Sequence, residues 1–560
     1  MRSAKSPFIR QPIRDIVNQS GTGTNRNDDG SGPTLSKSIS TFELAMMGVG
    51  STVGTGIFYV FTVAVPEAGP SVILAFLIAA VTAGLTALCY AELASFIPTS
   101  GSSYTYTYAT LGELVAYLVG WCLLLEYAVS GAAVAVGWSE YLNDFLQRVF
   151  GWQLPAYLSV APWSNGSFTG FSINLPAIVL VAICCGLLMA GTRESARANA
   201  VMVILKIAVL FMFAVVAFTG FKSGNYHPFA PMGMAGVGTA AGSIFFSFIG
   251  LDVISTASEE VEHPHRTIPR ALIIALIVVT AIYMLVAVAA VGAQEQGLFK
   301  HQKAGLSQIL EHVTGSGVFS VILSAAAVIS IFSITLMTIF GQTRILFAMS
   351  RDGMIPKGFA RIHPRTHTPL MNTGITCAVV AVLAGFLPLE YLSDMVSIGT
   401  LTAFAVVSLG VIILRHTNPT TERGFRVPLY PVTPIISIAA CLYLISQLHP
   451  VTWATLAVWL LLACITYAAY GYRHSALRKR LLEEESADAI ATTTDSASTI
   501  AASTVAGDII PPNSHDADTH STDVAHNTVQ SASGSGSTNG GSASGDLSLI
   551  HISEPTRRTP

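Results

Sequence analysis

Charged side chains are scarce in this sequence. Asp, Glu, Lys and Arg make up 11% of the 560 residues, whereas a soluble globular chain carries roughly 25%. Residues 172–190 and 271–293 contain none of them, and each stretch is long enough to cross a bilayer, which takes about 20 helical residues. The scarcity excludes an ordinary soluble domain and indicates that lipid surrounds most of the chain.

Signatures of metal sites, disulfide frameworks and nucleic-acid binding are also missing. The seven cysteines lie in apolar runs without metal-ligand spacing, and the net charge of -3 offers no basic patch. The sequence has no HExxH helix, nucleophile elbow or phosphate-binding loop. We therefore expect no enzyme, no cofactor, no metal and no nucleic-acid partner.

Apolar runs separated by polar breaks predict an all-α membrane protein of about twelve transmembrane helices. The polar first 32 residues do not resemble a cleavable signal peptide, so the first apolar run is expected to stay in the bilayer. The predicted helices lie near residues 42–64, 71–96, 104–138, 172–191, 199–220, 238–258, 270–293, 315–348, 371–388, 394–414, 431–447 and 451–471.

Three regions are predicted. Residues 1–41 form a polar N-terminal segment, residues 42–472 the transmembrane domain, and residues 473–560 a polar tail with too few apolar side chains to fold. Residues 547–560 change composition abruptly and resemble translated sequencing-adapter read-through, so no functional argument uses them.

Basic residues predict the orientation, because Lys and Arg concentrate in cytoplasmic loops. Most of them lie at span ends on the same side as the N-terminus, and an even number of spans returns the C-terminus to that side. We expect a multi-pass protein of the plasma (inner) membrane with both termini cytoplasmic. The opposite loops hold four basic residues: Arg148, Lys222, Lys300 and Lys303.

The first predicted span is rich in glycine, each of which costs a helix interior about 1 kcal/mol relative to alanine. One hypothesis is a small-residue face for close packing, because Gly50 and Gly54 have GxxxG spacing. The other is a broken helix at Gly54, Thr55 and Gly56, whose free N–H groups point into a cavity and suit a substrate carboxylate.

The sixth predicted span has a similar anomaly, because Gly250 and Asp252 interrupt an apolar run. An isolated aspartate at membrane depth costs at least ~2.5 kcal/mol. If the helix breaks near Ile249, Asp252 can cap the second half; ion binding is the alternative. Breaks five spans apart are expected of two inverted five-helix units with the binding site between them, and a free α-amino acid fits the exposed N–H and carbonyl groups.

The sequence resembles the amino acid, polyamine and organocation superfamily, and within it the bacterial relatives of the cationic amino acid transporters. The resemblance runs from about Leu35 to Tyr470. Its motifs are VGTGIF at 53–58, AGPSVILAFLIAA at 68–80, CYAELASFIPTSGSSYTYTY at 89–108, FFSFIGLD at 245–252, EEVEHPHRTIPRA at 259–271 and GQTRILFAMSRDGMIP at 341–356.

This resemblance implies a leucine-transporter-like fold with a five-plus-five inverted repeat and two further helices. It also implies the ligand contacts. Gly54, Thr55 and Gly56 would bind a substrate carboxylate, and Phe246 would act as an aromatic gate. The backbone carbonyls that would take the amine are those near Thr52, Phe246, Ser247 and Ile249.

Two ionisable residues lie inside predicted spans. Desolvation favours the neutral form of a buried lysine, so Lys206 can load and release a proton; snorkelling to the interface is the alternative. The resemblance implies that a lysine here replaces the ion of sodium-coupled relatives, so we predict proton coupling without sodium. Glu126 is a candidate for the side-chain pocket, for proton handling or for a structural hydrogen bond.

Met337 resembles a family position that sets the room for the substrate side chain, where small residues accompany cationic substrates. A methionine there favours small neutral amino acids such as alanine, whereas an ionised Glu126 would favour arginine or lysine. The loop charges Glu260 and Arg266 are predicted to form an inner gate; solvated loop charges are the alternative.

The sequence therefore predicts a secondary active transporter in a lipid bilayer, with L-amino acids as substrates, small neutral ones favoured, and the proton as coupling ion. The alternative within the same class is a cationic amino acid transporter or exchanger. A membrane sensor that binds amino acids without transporting them is the alternative from another class.

Overall fold

The computed structural model is almost entirely helical. It describes residues 6–19, 39–99, 101–164, 167–168, 170–189, 196–258, 261, 263–300, 305–361, 363, 369–419, 423–487 and 490. Among these, the strands are a two-stranded antiparallel pair, Trp163–Ser164 and Ser167–Phe168.

Twelve apolar helical units of the described residues correspond to the predicted spans. Eight stretches are long and apolar enough to cross a membrane, and the first of them, Phe61–Phe96, includes the last helix of span 1 together with span 2. Three more helices are shorter and apolar, and Thr41–Thr52 and Thr55–Tyr59 precede them all. The units are span 1 (Thr41–Thr52, Thr55–Tyr59 and Phe61–Ala68), span 2 (Val72–Phe96), span 3 (Glu113–Phe150), span 4 (Leu175–Met189), span 5 (Ala196–Thr219), span 6 (Gly233–Phe245 and Val253–Thr256), span 7 (Pro264–Ala293), span 8 (Val318–Arg351), span 9 (Leu370–Phe386), span 10 (Leu389–Thr417), span 11 (Val432–Ser446) and span 12 (Pro450–Thr466).

Shorter elements lie before, between, within and after the spans. They are the helices Ile13–Gln19, Ser102–Thr110, Ala156–Ser159, Gln296–Phe299, Gly305–Thr314 and Tyr472–His474, the 3-10 turns Gly69–Ser71, Ser223–Tyr226, Phe246–Phe248 and Lys357–Ala360, and the π-helical turn Tyr467–Gly471.

The start of the third span was predicted wrongly. Residues 104–138 were expected to form one helix, but Ser102–Thr110 is a separate helix and span 3 begins at Glu113. Gly112 between them has a φ of 101°, a conformation that favours glycine. All nine residues of Ser102–Thr110 are buried, so this polar and aromatic helix packs inside the protein rather than against lipid.

The two ends of the described chain meet at one face of the bundle. The Arg478 guanidinium donates to the Glu113 carboxylate at 3.1 Å and to the Ser6 carbonyl at 3.1 Å. The Glu113 amide in turn donates to the Ile9 carbonyl at 3.0 Å. The disordered tail predicted from residue 473 is wrong for residues 473–487, because Tyr472–His474 and residues 476–487 are helical. Residues 488–489 and 491–560 lie outside the described part of the chain.

A buried ion pair joins Glu92 of span 2 to Arg415 near the end of span 10. Glu92 is 1% exposed, and both of its carboxylate oxygens accept from the Arg415 guanidinium, at 2.8 and 2.6 Å. The Arg423 guanidinium lies 3.3 Å away, and the Val427 amide donates at 2.7 Å. Two guanidinium groups and one backbone amide therefore compensate one desolvated carboxylate.

Replacing Glu92 with glutamine is expected to lower the free energy of unfolding by about 3 kcal/mol, because it leaves two guanidinium groups without their buried partner. Thermal unfolding in detergent measures the effect as a lower Tm. Glu484→Gln is the control, since Glu484 is exposed. Equal Tm values for the two variants would contradict the role given to the ion pair.

Candidate functional site

Span 1 is broken where the glycine pattern predicts. Its first half, span 1a, ends at Thr52, and the next helix, span 1b, begins at Thr55 with Gly54 at the N-cap. The N-terminal N–H groups of span 1b have no intrahelical acceptor, so they form an anion-binding end. The break therefore presents donors to whatever lies beside Gly54.

Close packing through small residues, predicted from the pair Gly50 and Gly54, is found at this break for Gly54 and Gly56. A Cβ added to Gly56 would lie 2.6 Å from the Cα of Ser247, and one added to Gly54 would lie 2.9 Å from Ile334. Gly56 thus lets the backbones of the first and sixth spans touch. The glycines serve both the break and the packing.

Span 6 is broken opposite the first break. Its first half, span 6a, ends at Phe245, a 3-10 turn follows over Phe246–Phe248, and helix resumes at Val253. Gly250 has a φ of 106°, and its carbonyl accepts from the Ser51 hydroxyl at 2.8 Å. The hydroxyl of Ser51 therefore joins span 1a to the unwound part of span 6.

A cavity of about 40 Å³ lies between the two breaks. It has room for about three water-sized spheres, so the cavity is small. Residues from spans 1, 3, 6 and 8 line it: Ser51, Thr52, Gly54, Gly56, Glu126, Tyr127, Ser130, Val134, Phe246, Ile249, Gly250, Asp252, Val253, Ile334, Met337 and Thr338.

Most of the predicted contact residues come together in this cavity. Among the carboxylate and amine positions, Thr52, Gly54, Gly56, Phe246 and Ile249 line it, as do Glu126 and Met337. Ser247 is not among the lining residues, although its backbone touches the cavity wall at Gly56. The side chain of Thr55 lies outside what the structure describes.

Two buried carboxylates face the cavity. The Oε2 atom of Glu126 and the Oδ1 atom of Asp252 have no hydrogen-bond partner among the described residues. The other oxygen of Asp252 accepts from the Tyr127 hydroxyl at 2.9 Å. Both side chains are therefore available to a polar ligand.

The cap predicted for Asp252 is only positional. Asp252 occupies the N-cap of Val253–Thr256, but its side chain makes no capping hydrogen bond. The partner of the Asp252 carboxylate is instead the Tyr127 hydroxyl of span 3, which donates to it directly. Tyr127 was not predicted, since 125 residues separate it from Asp252.

Lys206 lies beside the first break rather than at an interface. Its side chain is 1% exposed, so the snorkelling alternative is wrong. The ammonium nitrogen donates to the Gly50 carbonyl of span 1a at 3.2 Å. A charge change at Lys206 would therefore act directly on the helix that carries the break.

The predicted inner gate is only partly visible. Glu260 lies outside the described residues, and Arg266, near the start of span 7, is exposed. A different contact lies at the end of span 8, where the Tyr104 hydroxyl donates to Asp352 at 2.9 Å. Burial raises the pKa of Asp352 to about 6, and nearby Arg351 opposes that rise.

Among the described residues, twelve apolar helical units, two of them broken around one cavity, have the architecture of a secondary membrane permease. The chain belongs to the amino acid permease family: the sequence profile described as "Amino acid permease" matches residues 39–470. This confirms the resemblance inferred from the motifs and the all-helical fold that it implies.

The proteins similar to this chain are named for different substrates. The chain is 40% identical to the methylthioribose transporter of Bacillus subtilis (strain 168) over 478 residues, which is 85% of this chain and 100% of that protein. It is 41% identical to the branched-chain amino acid permease BcaP of the same organism, over 85% of this chain and 99% of that one. It is also 36% identical to the vacuolar cationic amino acid transporter 2 of Arabidopsis thaliana, over 73% and 64% of the two chains.

Proposed function

We propose that this protein is a proton-coupled transporter of L-amino acids that favours small neutral substrates. The observation that carries the proposal is the pair of breaks in spans 1 and 6 around one cavity. The N–H groups at Gly54 and Gly56 suit the ligand carboxylate, and the carbonyls at Thr52, Phe246 and Ile249 suit its ammonium. A zwitterion satisfies both sets of backbone groups at once.

The preference for small neutral side chains rests on the apolar part of the cavity wall. Met337 and Ile334 of span 8 line the cavity together with Phe246. Apolar side chains here leave little room beyond a short ligand side chain. Phe246, as the aromatic gate, covers the ligand and excludes water while the site is closed.

Replacing Met337 with serine is expected to enlarge the accepted set of substrates to include arginine. The shorter side chain opens room toward Glu126, whose free oxygen can accept from a guanidinium. Uptake of radiolabelled arginine into proteoliposomes should rise by about tenfold, equivalent to about 1.4 kcal/mol. Val134→Ser, at another lining position, is the control, and an equal gain there would contradict the assignment of Met337.

Proton coupling is supported by the place of Lys206. The lysine is buried and bonded to the Gly50 carbonyl of span 1a, and a buried ammonium is costly enough to exchange its proton during a cycle. Loss of that proton removes the charge that strengthens the hydrogen bond to the broken helix. Protonation and the conformation of span 1a are thereby linked.

Orientation and location follow the distribution of basic residues. The described chain ends, residues 6–19 and 475–487, lie at one face, and we assign that face to the cytoplasm of a plasma (inner) membrane. In this orientation Arg266 lies at the inner end of the pathway, and we propose that it forms the inner gate together with Glu260, which is outside the described residues. Asp352 and Tyr104 lie at the same inner end.

A second candidate substrate class is favoured by the free carboxylate oxygens of Glu126 and Asp252. Acceptors of this kind suit hydroxyl groups or a cationic side chain. The named relatives include proteins for methylthioribose and for cationic amino acids. Polyhydroxylated thioethers and arginine or lysine therefore belong in the same substrate panel.

The proposal is tested by uptake of radiolabelled alanine, leucine, arginine and methylthioribose into proteoliposomes holding the full chain. Alanine should accumulate when the outside is more acidic, and should do so equally with and without sodium. Accumulation of methylthioribose alone would replace the proposed substrate class. Alanine binding without accumulation would support a sensor and overturn transport.

A further inference from the structure

Tyr283 of span 7 touches both broken helices. Its hydroxyl lies 2.9 Å from the carbonyl oxygen of Thr52, at the end of span 1a, and 2.8 Å from that of Ser247, beside the break of span 6. The side chain is fully buried. Its ring packs edge-on against Phe248 at 5.1 Å and against Phe76 at 6.2 Å between ring centroids. The ring contacts fix the hydroxyl between the two carbonyls.

The hydroxyl cannot satisfy both carbonyls at once. A tyrosine hydroxyl has one proton to donate, and the two acceptors are almost equally distant. The carbonyl of Thr52 ends a helical segment, where intrahelical donors run out. One of the two buried acceptors is therefore always short of a full hydrogen bond when the site is empty.

The two carbonyls differ in their access to a ligand. Thr52 lines the cavity, whereas Ser247 does not. An ammonium group in the cavity brings three donors and can reach the carbonyl of Thr52. The proton of Tyr283 then has the carbonyl of Ser247 as its remaining acceptor.

We infer that Tyr283 is a positioning residue. Its hydroxyl holds the two breaks at the distance at which the ligand binds, and it releases the Thr52 carbonyl to the ammonium group of the substrate. The inference rests on the proposed function, because it requires a primary amine in the ligand. The hydroxyl also supplies the positive end of a dipole between two carbonyls from different helices. A donor held between the two carbonyls couples ligand binding at span 1a to the conformation of span 6.

The test compares Tyr283→Phe with Tyr226→Phe by equilibrium binding of radiolabelled alanine to the purified full chain. Both changes remove one hydroxyl that bonds a backbone carbonyl, since the Tyr226 hydroxyl donates to the Val288 carbonyl at 2.8 Å. The Kd should rise about tenfold in Tyr283→Phe, which corresponds to about 1.4 kcal/mol, and stay unchanged in Tyr226→Phe. Turnover at saturating alanine should change less than the Kd.

A lower Tm with an unchanged Kd in Tyr283→Phe would mean a merely structural hydroxyl and would overturn the inference. If that variant does not fold, Phe248→Leu keeps the hydroxyl and loosens its ring. Weaker alanine binding in Phe248→Leu supports the inference, and unchanged binding overturns it. Wild-type protein that neither binds nor transports alanine overturns the proposed function itself, whereas wild-type binding with an unchanged Tyr283 variant overturns only this inference.

Discussion

Replacing Lys206 with alanine is expected to lower uptake driven by a proton gradient by at least about tenfold. The ammonium group of Lys206 donates to the Gly50 carbonyl of span 1a at 3.2 Å inside the bundle. Alanine removes both the exchangeable proton and the donor to the broken helix. A gradient that is acidic outside then has no titrating group to act on at this position.

Alanine accumulation in proteoliposomes, measured with and without the pH gradient, shows the effect as a loss of at least about tenfold, equivalent to about 1.4 kcal/mol in the driving step. Lys222→Ala is the control, because Lys222 is exposed in a loop after span 5. Sodium-dependent uptake by the wild type, together with full proton-driven uptake by Lys206→Ala, would contradict the account.

Replacing Gly56 with alanine is expected to eliminate substrate binding while leaving a folded bundle. The added Cβ would lie 2.6 Å from the backbone Cα of Ser247. No side-chain rotation relieves a clash with backbone, so span 1b and the Phe246–Phe248 turn must move apart. That movement displaces the N–H groups and the aromatic gate together.

Equilibrium binding of alanine and the Tm of the purified protein separate the two effects. We expect a Kd at least about a hundredfold higher, about 2.8 kcal/mol by the same conversion. Gly186→Ala in span 4 is the control, since an added Cβ there meets nothing within 4 Å. Wild-type affinity in Gly56→Ala would show that the contact between the breaks does not shape the site.

Much of the site was predictable because unusual residues interrupt apolar runs. Gly54 and Gly250 mark positions where helix is costly, and the structure breaks both spans there, with Gly56 in the first turn after the first break. Lys206 and Glu126 stood out because charge is expensive in lipid. These signals are local in sequence, so they can be recognised without knowledge of the fold.

Other contacts could not be predicted because their signals are ordinary or distant in sequence. Tyr283 is one aromatic residue in an apolar run, and its two acceptors lie 231 and 36 residues away. Tyr127 looks like a core residue until Asp252 is placed beside it. The helix at residues 476–487 was missed because polar composition hides helices that pack on a protein face rather than in lipid.

The central claim, that paired breaks in spans 1 and 6 recognise both charged ends of a free amino acid, is tested by competition against radiolabelled alanine uptake. Unlabelled alanine, alaninamide and N-acetylalanine are compared at equal excess, because the last two each lack one of the two charged groups. We predict that only free alanine competes. Equal competition by all three compounds would contradict a site built from exposed backbone N–H and carbonyl groups.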